Sequence, residues 1–121
     1  MNDKLILKTG VFFSGITVVI GAFGAHYLKD ILGESMDVFK TGIWYQMFHS
    51  IALLFLALFS KIYQQNCNIV FFLFVFGIVL FSGSLYVISI FKYSLIGILT
   101  PIGGSLFIIA WLLLLMKIQK I

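Results

Sequence analysis

Residues 69–91 read IVFFLFVFGIVLFSGSLYVISIF, twenty-three positions without a charged side chain. A helix rising 1.5 Å per residue needs about 20 apolar residues to cross a hydrocarbon core about 30 Å thick. This stretch meets that length. Outward from it lie three more apolar runs, at 5–25, 43–60 and 95–116. The run at 43–60 is the shortest and spans if its helix begins near Gly42. Four runs without two-residue alternation cannot close a barrel, so strands are excluded. The connections 61–68 and 92–94 are short enough to join antiparallel neighbours. The sequence therefore predicts an all-α membrane protein, one four-helix transmembrane domain over 1–121 with up-down-up-down order.

Composition agrees. Of 121 residues, 62% are hydrophobic and 10% charged, far below the quarter that a soluble surface needs. The formal charge of +4 comes from eight lysines without any arginine. They stand singly at the edges of apolar runs, where they anchor helix ends in the headgroups, so nucleic acid is not an expected partner. Cys67 is the sole cysteine and has no metal-ligand companion nearby in sequence. A signal-peptide reading competes for the first run, because Lys4 precedes it and small residues follow at 21–25. Small and polar residues recur along that run at helical spacing, which favours a retained span.

The longest connection, LKDILGESMDVFKTG at 28–42, alternates with helical period. Leu28, Ile31, Leu32, Met36, Val38 and Phe39 project to one side, and Lys29, Asp30, Glu34, Asp37 and Lys40 to the other. This predicts an amphipathic helix in the interface plane, with Gly33 as a weak point and capping of the bundle as the alternative. With both termini inside, Lys4, Lys8, Lys61, Lys117 and Lys120 face the cytoplasm against Lys29, Lys40 and Lys92 outside, which favours that orientation.

Within the spans, small and polar residues form stripes. Gly10, Ser14, Thr17, Gly21 and Gly24 share a face of the first. Ser82, Tyr86, Ser89 and Tyr93 share one on the third, and Gly97, Thr100, Gly104 and Trp111 one on the fourth. Such stripes let helix backbones approach. Packing within one chain is the expected use, with a homodimer seam as the alternative. Pro101 removes a backbone donor and displaces the carbonyl at Gly97, so a kink is expected there.

Two histidines remain. His26 ends the first span and His49 lies near the start of the second, with Tyr45 one turn before it and Gln46 beside it. A polar cluster of His26, Tyr45, Gln46 and His49 near the outer leaflet is the candidate binding or structural site. Two histidines can ligate a haem, but a metal needs further ligands and no acid or cysteine lies within a span. No cofactor or metal is therefore expected, and haem through His26 and His49 ranks last.

The motifs GAFGAH (21–26), YQMFHS (45–50), FSGSLY (81–86), TPIGG (100–104) and Trp111 stand in this order. Together they resemble the YgdD/YwdK family of small membrane proteins, domain-of-unknown-function family 423, which is similar to the animal transmembrane protein 256 group. The resemblance covers nearly the whole chain. It implies a four-helix protein of the bacterial cell membrane and brings no activity and no catalytic residues. The leading expectation is a non-enzymatic structural or regulatory component that packs with lipids, with itself or with another membrane protein. A channel or carrier for a small solute is the alternative, and a haem- or metal-binding subunit is third.

Overall fold

The computed structural model describes residues 3–121. Its described residues are helical with short turns and contain no strand. Four helices carry the fold, each long and apolar enough to cross a membrane. They are α1 (Asp3–Tyr27), α2 (Met36–Tyr63), α3 (Asn68–Phe91) and α4 (Leu99–Gln119), the last entered through a 3-10 turn at Ser94–Ile98. Contacts along the chain fix their directions. Ser60 Oγ donates to Asp3 Oδ1 at 2.6 Å, so the start of α1 meets the end of α2. Lys92 Nζ donates to Leu32 O at 2.9 Å and to Ser35 Oγ at 2.8 Å, tying the far connections together. The order is up-down-up-down.

Hydrophobic burial cannot drive helices together in lipid, so close backbone approach and interhelical bonds must. Gly10 of α1 lies against Leu53 and Leu54 of α2, Gly21 against Ile43, and Gly24 against the Phe39 ring. The α1 stripe is thus spent on α2 of the same chain, with Thr17 buried along it. Between α3 and α4 the tightest approaches are Gly77 beneath the Phe107 ring and Gly103 against the Phe81 backbone. Leu53, Leu56, Val70, Phe74 and Ala110 fill the core between these seams.

Two expectations need correction. The segment 28–42 is not one helix. A single turn at Lys29–Leu32 stops at Gly33, whose φ of +51° combined with a ψ of −120° suits only glycine, and from Met36 the chain already belongs to α2. Of its apolar face, Leu32 and Phe39 are wholly buried against the bundle while Ile31 is exposed, so this part caps the helices. The interior kink expected at Gly97 is also replaced. Gly97 lies in the 3-10 turn and Pro101 is the third residue of α4, so the irregularity sits at the entry to the helix. Two features had no counterpart in the sequence reading. Ile20–Gly24 and Ile78–Ser82 are π-helical, widening α1 and α3 by one residue each.

Candidate functional site

His49 is the most constrained polar side chain in the bundle. Trp111 Nε1 of α4 donates to its Nε2 at 3.0 Å. An indole nitrogen can only donate, so Nε2 carries the lone pair and Nδ1 the hydrogen. That hydrogen goes to Tyr45 O, one turn earlier on α2, at 2.8 Å. The imidazole also lies flat on the Phe107 ring, with centroids 3.6 Å apart and planes 6° from parallel. Position, tautomer and both ring nitrogens of His49 are all accounted for.

A second network lies on the neighbouring face of α2. Ser82 Oγ of α3 donates to Gly42 O at 2.7 Å, and Tyr86 Oη donates to Gln46 Oε1 at 2.6 Å. Gly42 must be small here, because a Cβ would fall 2.7 Å from the Tyr86 ring. Ser50 Oγ donates to Gln46 O at 2.5 Å, and Ser89 Oγ to Tyr86 O at 3.2 Å. A third pair joins α3 to α4. Ser84 Oγ gives its hydrogen to Phe81 O at 2.9 Å and stands 2.5 Å from Thr100 Oγ1, which makes Thr100 the donor between them. Among the described residues no buried side-chain nitrogen or oxygen lacks a partner.

The expected four-residue cluster therefore divides. Gln46 and His49 are buried on adjacent faces, and Tyr45 is stacked 6.3 Å from His49 yet 44% exposed. His26 is separate. It is exposed at the end of α1, edge-on to Tyr27 at 5.2 Å, and forms no pair with His49. Similar depth in the membrane does not place two residues on one side of a bundle, and this is why the sequence joined them. A bis-histidine haem site would need both to turn inward and His49 to release Trp111. Among the described residues, no three His, Cys, Asp or Glu side chains gather as a metal site.

The remaining seam residues are modestly placed. Gly97 rests near Ile88 at ordinary contact distance, and Gly104 near Phe81 at 3.6 Å, both as Cβ positions. Ser14 bonds to Gly10 O within its own helix. Tyr93 is exposed beyond the end of α3. Phe81, Phe107 and Gly103 were not singled out as partners in the sequence. Phe81 and Gly103 lie inside the FSGSLY and TPIGG motifs, and Phe107 stands one turn from both Gly104 and Trp111.

Beside His49 the surface opens. A groove of about 570 Å³ runs between α2 and α4, floored by His49, Phe81 and Phe107 and walled by Trp44, Phe48, Ile108 and Trp111. Trp44, Phe48 and Ile108 are 63%, 59% and 64% exposed within the membrane-crossing part of the bundle. The groove opens on the outer surface of the bundle, and Gly104 lines its α4 side.

Comparison with known proteins places the chain. The family model described as "Protein of unknown function (DUF423)" matches residues 20–104. A UPF0382 membrane protein of Staphylococcus epidermidis is 41% identical over 118 residues, covering 97% of each chain. The UPF0382 membrane protein YwdK of Bacillus subtilis is 34% identical over 97% of this chain and 98% of its own. The UPF0382 inner membrane protein YgdD of Escherichia coli is 37% identical over 95% and 89%. No solved structure matches the chain. With a family model over most of its length and relatives covered almost end to end, the chain belongs to the DUF423 (UPF0382) family of membrane proteins, whose function is unknown.

Proposed function

We propose that this protein is a non-enzymatic structural or regulatory component of the bacterial cell membrane, with both termini in the cytoplasm, that acts by holding apolar membrane constituents against its flank. One observation carries this reading. Polar side chains within the spans are spent on one another, while the aromatic groove between α2 and α4 is open to lipid. Ser82, Tyr86 and Thr100, the residues that a solute path would use, each bond to a neighbouring side chain or carbonyl. Asp30, Glu34 and Asp37 lie at the bundle end rather than at mid-membrane, where a coupled transporter would need an acid. Apolar walls with a few fixed polar groups are what membrane ligands and helices dock against.

The test is photocrosslinking in native membranes. A benzophenone side chain at Ile108, in the groove, should yield a discrete adduct with a lipid or with one protein. The same probe at Val18, a 65% exposed position on α1, should yield only diffuse lipid labelling. Identical diffuse labelling at both positions would overturn the proposal.

A further inference from the structure

The end of the bundle that carries the termini holds a second, chemically different cleft. It measures about 500 Å³ and lies between the first turn of α3 and the last turns of α4. Lys117 and Lys120 line one side, Asn66 and Asn68 the other, and Leu113 and Met116 continue it toward the membrane interior. Its polar groups are thus at the rim and its apolar wall lies below, the layout of a lipid headgroup above its acyl chains.

Charge sets this cleft apart. A second lysine-lined cleft at the same end, with Lys4 and Lys61, also includes Asp3. The α3–α4 cleft has two lysines and no acid among its lining residues. At the opposite end Lys92 is committed to Leu32 O and Ser35 Oγ, and Lys29 and Lys40 are interspersed with Asp30, Glu34 and Asp37. The α3 helix adds to the field, because its first turn faces the cleft with the positive end of its dipole. Asn66 Oδ1 accepts the Asn68 backbone N–H at 3.0 Å, which holds the Asn66 side chain at that turn.

We infer that this cleft binds the phosphate of an anionic glycerophospholipid, with Lys117 and Lys120 on the phosphate and the Leu113 and Met116 wall against the acyl chains. The lysines bring positive charge to the headgroup level, and basic pockets between spanning helices are suited to such headgroups. The inference is independent of the aromatic groove, which shares α4 but lies deeper, on its side toward α2, and has no residue in common with the cleft.

Native mass spectrometry of the detergent-purified full chain, titrated separately with phosphatidylglycerol and phosphatidylethanolamine, tests it. One phosphatidylglycerol should bind saturably and more tightly than phosphatidylethanolamine. K117Q/K120Q should weaken it by about 30-fold, following the contribution of two lysines near a charged headgroup. K8Q/K61Q, which removes the same charge from the same end, should leave it unchanged. K117R/K120R should retain binding. N66D keeps the Oδ1 acceptor at the α3 start but adds a carboxylate to the cleft, and should also abolish the preference, guarding against a K117Q/K120Q chain that fails to fold. Equal affinity for the two lipids overturns the inference. So does equal loss from K8Q/K61Q, which would show a diffuse surface field in place of a site.

Discussion

At the residue scale, the bond between His49 and Trp111 restrains both partners. It joins α2 to α4 and fixes the imidazole tautomer, while the Phe107 stack fixes its plane. Interhelical hydrogen bonds in lipid average about 0.6 kcal/mol, because the separated helices also find partners. Trp111→Phe should therefore destabilise the chain by more than this, since it also leaves a buried acceptor unpaired and shrinks a packed ring. A double-mutant cycle with His49→Phe isolates the bond. Unfolding in a mixed-detergent titration should give a coupling of about 0.6–1.7 kcal/mol. Additive single mutants would show that the bond contributes nothing to stability. Much of this site could be read beforehand. Tyr45, Gln46 and His49 share a helix at spacings that any helical projection reveals. His26 could not be assigned, because α1 ends at Tyr27 with that ring turned outward, and periodicity gives depth along a helix but not which neighbour it meets.

At the scale of elements, the lesson concerns phase. Stepping by three and four from Gly97 selects Thr100 and Gly104 for the α4 seam. The structure puts Gly103 in the tightest contact instead: a Cβ there would overlap the Phe81 backbone, whereas one on Gly104 would meet the Phe81 ring at 3.6 Å. The reason is the 3-10 turn at Ser94–Ile98, which winds with three residues per turn and shifts the phase of everything after it. The π segment at Ile78–Ser82 does the same to α3, and it brings Phe81 toward α4 while Ser82 reaches α2. Neither irregularity has a sequence mark as clear as a proline. The adjacent glycines give a direct comparison. Gly103→Ala should push α3 and α4 apart and cost about 1–3 kcal/mol, as overpacking does. Gly104→Ala should be tolerated and, by narrowing the groove, should reduce crosslinking from Ile108. Thermal unfolding of the two variants in one detergent checks this, and equal losses would mean that the α3–α4 contact is not set by Gly103.

At the scale of the whole molecule, charge is distributed by end. The Asp3–Ser60 bond and the closeness of Lys117 to Cys67 gather the start of α1, the α2–α3 connection and the end of α4. Five lysines sit there with Asp3, against three lysines and three acids at the other end. Lysine counts near short loops govern insertion more than net charge does, so five against three is the relevant ratio, and it is the ground for the proposed cytoplasmic termini. Cysteine labelling decides the matter. Native Cys67 contributes little background, because it is 1% exposed and burial pushes its thiol up, with the Lys117 ammonium opposing in part. In intact spheroplasts a membrane-impermeant maleimide should label Tyr93→Cys and spare Gln119→Cys until the membrane is opened. The reverse pattern would place the termini outside. The margin of two lysines also makes the orientation adjustable. K8Q/K61Q leaves three lysines at each end, and if lysine count is what orients the bundle, both cysteines should then label partially in one population of cells. If Gln119→Cys stays protected in that background, the helices are oriented by something other than their lysines.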